Sequence, residues 1–169
     1  MREKVFLWLS DKFQQSLELY LAEARESVQK RSTETFLATI PESAKYKGIT
    51  ISENWEIEVI GVNNKPKVII NAGHMQVIAV SLFDGLRETS RRTFPTFFDN
   101  PGSNIADETL AKVAKHFWGI EQGQIIMLSH GGGLKTVETI ESYGDKLACA
   151  WELSYVSGEE TLTQIEKLL

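Results

Sequence analysis

Two short runs, Phe94 to Phe98 and Gln124 to Leu128, constrain this chain more than any other feature. The first is apolar apart from Thr96, and the second carries Ile125-Ile126-Met127-Leu128. An amphipathic helix is predicted between them over Asp107 to Trp118. Another is predicted just before them over Met75 to Arg87, with Val77, Ile78, Ser81, Leu82 and Leu86 inward. Helix alternating with a short, almost unbroken apolar strand is the pattern of a parallel sheet covered by helices. An α/β fold with a parallel sheet core is therefore expected.

Upstream the pattern differs. From about Val5 to Lys30, apolar residues recur at Phe6, Leu9, Phe13, Leu17, Tyr20, Ala24 and Val28, the three- and four-residue steps of one helix face. The steps keep no strict heptad for long, which fits a helix packed on a globular body or the root of a coiled-coil arm. Ser32 makes a good N-cap and Pro41 a stop, so a second, short helix is predicted over Thr33 to Thr39. Ile49 to Ile51 and Trp55 to Val59 alternate apolar with polar residues, as half-buried antiparallel strands do. Asn63-Asn64-Lys65-Pro66 turns the chain into a third run at Val68-Ile69-Ile70. Strand character returns over Leu147 to Val156 and Thr161 to Ile165, around the Ser157-Gly158 turn. The expected organisation is a long plus a short helix over residues 1–47 and an α/β lobe over 48–169.

With 169 residues, 42% hydrophobic and 24% charged, the chain suits one domain with one core. A net charge of -5 argues against a protein coated in basic surface. A local basic stripe of Arg87, Arg91, Arg92, Lys112 and Lys115 stays open, beside the simpler reading of a solvated helix face. The lone Cys149 excludes a disulfide framework within the chain and lacks partners for a structural zinc. An inert buried thiol and a reducing, cytoplasmic setting are the expectation. The first apolar stretch is soon interrupted by Asp11 and Lys12, so neither a signal peptide nor a membrane span is expected. Trp55, Trp118 and Trp151 read as core or sheet-packing residues, and Trp8 as packing on the first helix.

Three places carry chemistry. Asp99 closes the first apolar run, so it falls at the C-terminal edge of a parallel sheet, where ligands bind in open α/β folds. A carboxylate there suits Mg²⁺, a hard cation that takes oxygen ligands. The competing reading is that Asp99 opens an Asp-Asn-Pro-Gly turn. His130 ends the second run and would reach a γ-phosphate or an attacking water, unless it merely closes a strand beside three glycines. Asn71-Ala72-Gly73-His74-Met75-Gln76 leads small residues straight into a helix. Its backbone N–H groups suit an anion, and Asn71 offers a side-chain donor or an N-cap. A plain strand-to-helix turn explains the same residues.

In order, these elements resemble an ABC ATPase head. Ile70 to Gln76 looks like the signature motif, and Phe94 through Asp99-Asn100-Pro101 like Walker B. Ser103-Asn104-Ile105-Ala106 looks like the D-loop, and Ile125 through Ser129-His130 like the switch-histidine strand. The layout is similar to the SMC-like group that includes DndD, RecF, RecN and the ATPase of the double-strand-break repair nuclease. The resemblance covers nearly the whole chain. It implies the C-terminal half of an ABC/SMC-type head, with a parallel sheet core, flanking helices, a small antiparallel β segment and a long N-terminal helix returning from a coiled coil.

Several residues depart from the pattern, and they limit the activity it implies. Asn71 stands where a serine is usual, and His74 where glutamate or glutamine is common. Asn100 replaces the acidic residue after the Walker-B aspartate, and an amide cannot act as a base, so hydrolysis is expected to be slow. Ala106 stands for the D-loop aspartate. No GxxxxGK[ST] occurs; Gly131-Gly132-Gly133-Leu134-Lys135-Thr136 has Leu134 where glycine is required and reads as a loop. The resemblance implies ATP and Mg²⁺ shared with a separate N-terminal P-loop lobe, in a dimer of heads with DNA and a nuclease or modification enzyme as further partners. Asp99 would hold the metal. Asn71, Ala72, Gly73, His74, Gln76 and Ser103 would meet the nucleotide, and Asn100 and His130 would stand at the catalytic positions. The expected role is an ATP-gated switch in DNA repair, DNA modification or anti-phage defence, and an ATPase only when complemented. The alternatives are a degenerate, non-catalytic scaffold lobe and an unrelated α/β domain whose motifs match by chance.

Overall fold

The computed structural model describes residues 2–67, 71–90, 95–100, 104–118, 123–128, 147–155 and 163–167. The chain forms two compact units, Met1–His130 and Gly131–Leu169. In the first, the helix α1 (Arg2–Thr39) is followed by a 3₁₀ turn (Ser43–Lys45) and the strands β1 (Tyr46–Ile51) and β2 (Ile57–Gly61). Then come α2 (Ala72–Ser90), β3 (Thr96–Asp99), α3 (Asp107–Trp118) and β4 (Ile125–Leu128). The second unit holds β5 (Trp151–Tyr155) and β6 (Thr163–Lys167).

β3 and β4 pair in parallel, with Thr96 opposite Ile125, Phe98 opposite Met127 and Asp99 opposite Leu128. One face of the pair is packed. Phe98, Ile125 and Met127 lie with Phe83 against Val80 of α2 and Val113 of α3. The phenyl rings of Phe83 and Phe98 meet edge to face, their centroids 5.3 Å apart. The other face is open, with Phe97 67% and Leu128 51% exposed.

The β1–β2 hairpin is antiparallel, and Ile49, Ile51 and Val59 are buried on one side of it. The chain turns at Asn63 to Pro66 as predicted. The Gly61 N–H donates to the Lys65 carbonyl and the Lys67 N–H to the Val59 carbonyl, opening a third antiparallel segment. The run Val68-Ile69-Ile70 lies outside the described residues.

The sequence pattern breaks the first helix at Ser32, but α1 is continuous over 38 residues, about 57 Å at 1.5 Å per residue. The polar residues that suggested a cap and a new start face the body instead. The Thr33 hydroxyl donates to the Ile49 carbonyl and accepts from the Ile49 N–H, both at 3.0 Å, which binds the helix to β1. Thr39 returns its hydroxyl to the Thr35 carbonyl at 2.7 Å. Ser32 is fully buried where α2 crosses, opposite Gly85. A Cβ on Gly85 would stand 2.3 Å from Ser32 Oγ and 2.7 Å from the Val28 carbonyl oxygen, so only glycine permits this approach.

Asp84 sits at the same crossing with no solvent exposure. Its Oδ2 accepts from Arg31 Nε at 2.8 Å and from the Thr35 hydroxyl at 2.7 Å, and lies 3.0 Å from His116 Nε2. Its Oδ1 is 3.7 Å from an Arg87 guanidinium nitrogen. One carboxylate thus joins α1, α2 and α3. Burial works to raise its pKa, but the hydrogen bonds from His116 and Thr35 and the Arg31 charge overcome that and hold it at about 2.

Several aromatic expectations do not hold. Trp55 is 45% exposed with φ of 63°, in the turn before β2 rather than within the strand. Trp151 is 55% exposed on the β5–β6 hairpin, beside Leu153 and Ile165 on one apolar face. Cys149 is exposed in the irregular segment before β5, not buried in a strand. Trp8 is exposed on α1, as are Phe6, Phe13, Leu17 and Tyr20. The N-terminal half of α1 therefore carries an apolar stripe that nothing described in the first unit covers. No helix among the described residues is long and apolar enough to cross a membrane.

Gly85→Ala is expected to destabilise the first unit by about 1–3 kcal/mol through overpacking, read by urea unfolding. Asp84 titrates near 2 folded against 3.8 as a free side chain, so its contribution is present above pH 3.8 and lost as pH falls through 2. Stability followed between pH 5 and pH 2 should therefore fall more steeply for the native chain than for Asp84→Asn.

Candidate functional site

The parallel ladder fixes Asp99. Its carboxylate stands exposed at the C-terminal end of β3, on the open face shared with Phe97 and Leu128. The ladder runs one residue further, because the Asn100 N–H donates to the Leu128 carbonyl at 2.7 Å. Asn100 then takes φ of 48°, a left-handed conformation that asparagine tolerates better than most residues. Asp99 thus stands at the sheet edge, while Pro101 and Gly102 of the expected turn lie outside the described residues.

The α2 N-terminus lies beside this edge. Asn71 caps it: Oδ1 accepts the Gly73 N–H at 2.8 Å, and the Asn71 carbonyl accepts the Met75 N–H at 3.1 Å. Ala72 is exposed at the first helical position. A Cβ on Gly73 would lie 2.5 Å from the Asn104 carbonyl oxygen, so the helix start and the segment after β3 approach main chain to main chain. Gln76 bridges the same gap. Its Nε2 donates to the Asn100 carbonyl at 3.3 Å and its Oε1 accepts the Asn104 N–H at 3.2 Å. His74 turns toward the hairpin, its ring edge-on to Tyr46 with centroids 6.3 Å apart, and Lys67 Nζ stands 4.9 Å from the centre of the same Tyr46 ring.

An open groove of about 260 Å³ runs between α2 and β3, with Ala79, Phe83 and Phe97 as apolar lining and Gln76 and Asp99 as polar lining. Among the described residues no cluster of three or more histidines, cysteines, aspartates or glutamates is placed to hold a metal. Asp99 offers one exposed carboxylate with hard oxygen donors, which fits Mg²⁺ only when further ligands come from water, phosphate or another chain.

The structure thus brings Asn71, Ala72, Gly73, Gln76, Asp99 and Asn100 to one end of the sheet, while His74 leans to the β1 side. Ser103 and His130 lie outside the described residues, as do Arg91 and Arg92. The basic stripe does not stand free: Arg87 pairs with Asp84 and Glu88, and Lys112 pairs with Glu108 at 3.0 Å. The sequence pattern does not reveal Asp84, Thr35, Arg31 and His116 as a cluster. Their spacing on three separate helices leaves no local signal, although an aspartate in the apolar run Val80 to Leu86 is visible.

Solved structures share this fold. A chain from the structural biochemistry of ATP-driven dimerization and DNA-stimulated activation of SMC ATPases aligns over 90% of this chain and 89% of its own length, with TM-score 0.66 and 15% identity. The Smc head domain of Pyrococcus furiosus, with an extended coiled coil and bound to the C-terminal domain of ScpA, aligns over 98% of this chain with TM-score 0.71 and 13% identity. The Smc head domain of Pyrococcus yayanosii, with a coiled coil and joint, aligns over 99% with TM-score 0.72 and 14% identity. The fold is that of part of an SMC head. This chain spans only 40% and 31% of the two Pyrococcus chains, so it corresponds to a portion of their heads and coiled coils. No family profile matches the sequence. No curated protein matches it either.

Replacing Asn71 by alanine should remove the cap and cost about 1 kcal/mol, whereas Asn71→Ser should retain most of it. Chemical denaturation of the three proteins side by side checks this; equal stability of all three would rule out the cap.

Proposed function

We propose that this chain is the C-terminal lobe of an SMC-like ATP-binding head, an ATP-gated switch in DNA repair, DNA modification or anti-phage defence. The observation that carries the reading is the half-covered parallel sheet. Its open face bears Phe97 and Leu128 beside the Asp99 carboxylate, and the sequence has no P-loop. A lobe that covered this face would bury the apolar residues and bring its phosphate-binding loop to the aspartate in one step. The likeness to SMC heads supports the same completion, because this chain matches only part of the two Pyrococcus chains.

In this reading Asp99 holds Mg²⁺, which neutralises charge on the β- and γ-phosphates when bound. The positive end of α2 faces the nucleotide, and Ala72 and Gly73 let backbone approach closely. The Asn71 cap already occupies the Gly73 N–H, so a phosphate must displace that cap or use the other donors of the first turn. His130 would sense the γ-phosphate from the strand after Asp99. Asn100 supplies no base, so hydrolysis is slow. The uncovered stripe of α1, with Phe6, Phe13, Leu17 and Tyr20, suits the return strand of a coiled coil. The partners are the P-loop lobe and a second head, with DNA and a nuclease or modification enzyme beyond them. The group that includes DndD, RecF and RecN is the proposed kinship.

A non-catalytic scaffold lobe is the second reading. It is favoured by the left-handed Asn100 and by the capped Gly73 N–H.

The test combines the full chain with a P-loop lobe encoded beside it and follows association by light scattering with and without Mg²⁺-ATP. Association driven by ATP, and weakened at least about tenfold (~1.4 kcal/mol) by Asp99→Ala, is expected. An assembly that does not bind ATP and is unchanged by Asp99→Ala would sink the proposal. Binding with no measurable turnover would assign a switch without catalysis, and association indifferent to ATP would assign the scaffold.

A further inference from the structure

Gln76 does something that its place in a nucleotide-facing turn does not require. Its side-chain amide spans two stretches of main chain, donating to the Asn100 carbonyl at 3.3 Å and accepting from the Asn104 N–H at 3.2 Å. Asn100 comes directly after Asp99. It is held on its other side by the ladder, through its own N–H on the Leu128 carbonyl at 2.7 Å. Asn104 is pressed against the same helix turn, since a Cβ on Gly73 would lie 2.5 Å from its carbonyl oxygen. These contacts tie the end of β3 to the start of α2, and both of the side-chain hydrogen bonds named pass through Gln76.

We infer that Gln76 is a positioning residue rather than a nucleotide ligand: it staples the α2 N-terminus to the main chain at Asn100, next to Asp99, and at Asn104. The inference rests on the reading of Asp99 as the Mg²⁺ residue. Its physical content is a division of labour within one amide. The donor half fixes the Asn100 carbonyl, and with it the direction in which Asp99 leaves the sheet. The acceptor half fixes Asn104, and with it the lead into α3 at Ala106, whose carbonyl accepts the Thr109 and Leu110 N–H groups at 2.9 Å. A shift of α2 on binding an anion at its first turn would pull on Asp99 through Gln76. A shift at Asp99 would likewise be felt at the helix start.

Two variants separate the halves. Gln76→Ala removes both hydrogen bonds. Gln76→Glu keeps an acceptor for the Asn104 N–H but sets an oxygen against the Asn100 carbonyl. Met75→Ala, at an exposed neighbouring position, is the control. Amide hydrogen exchange on the full chain reads the staple without any nucleotide. Exchange at Asn104 should quicken roughly five- to tenfold in Gln76→Ala, as expected for losing a hydrogen bond of ordinary strength, and stay near native in Gln76→Glu. The Mg²⁺ concentration that half-saturates ATP-driven association of the assembled head reads the positioning. It should rise severalfold in both variants and not in Met75→Ala.

Unchanged exchange at Asn104 in Gln76→Ala overturns the staple, whatever ATP does. Faster exchange with an unmoved Mg²⁺ requirement overturns the positioning role and leaves Gln76 purely structural. A native assembly that ignores Mg²⁺-ATP overturns the reading beneath the inference, a result that the exchange measurement keeps distinct.

Discussion

The first unit depends on one buried carboxylate. Asp84 has no solvent exposure and takes donors from Arg31 and Thr35 of α1 and a contact from His116 of α3, while it belongs to α2. A buried charge without such partners would be strongly unfavourable, so its presence makes the mutual placement of the three helices specific rather than merely compact. The small residues around it answer the same demand. Gly85 and Ser32 let α1 and α2 approach closely enough for the Arg31 and Thr35 side chains to reach the carboxylate. α2 begins at the candidate site and α3 begins just beyond it. The junction therefore also sets the frame on which Asp99, Asn100 and Gln76 are held.

The sheet shows the opposite arrangement, an interaction left half made. Phe98, Ile125 and Met127 pack inward against α2 and α3, whereas Phe97 and Leu128 face outward with Asp99 at their end. Parallel sheets are usually covered on both faces, and here Phe97 and Leu128 leave one face exposed. The apolar stripe on the first half of α1 is of the same kind. The chain shares its fold with 40% and 31% of the two Pyrococcus Smc chains, and it carries two uncovered apolar surfaces and one acidic sheet edge.

Much of this is legible along the chain. α3 falls at Asp107 to Trp118 in both the pattern and the structure, and the parallel pairing of the two apolar runs is a consequence of the helix between them. The edge position of Asp99 is legible too, because a strand that ends on a carboxylate can end nowhere else in such a sheet. The hairpin and its turn are readable from alternation and from Asn-Asn-Lys-Pro. The break at Ser32 is misleading because serine and threonine favour caps when their hydroxyls bond locally. Here Thr33 and Thr35 direct theirs to Ile49 and Asp84, far away in sequence. Trp55, Trp151 and Cys149 mislead for a related reason. Residue type predicts average burial, whereas these three fall in a turn, on an unpaired face and in an irregular segment.

The sequence by itself determined the local elements, the alternation that makes the sheet parallel and the acidic end of its first strand, because these depend on periods of 2 and 3.6 residues and on turn chemistry. Tertiary structure decided what those elements share. Asp84 meets partners 53, 49 and 32 residues away. Gln76 bonds main chain 24 and 28 residues on, and Gly85 matters because the Ser32 hydroxyl and the Val28 carbonyl of α1 lie 2.3 and 2.7 Å from the methyl it lacks. No window along the chain contains such pairings. They exist only once packing has brought residues far apart in sequence within hydrogen-bonding reach.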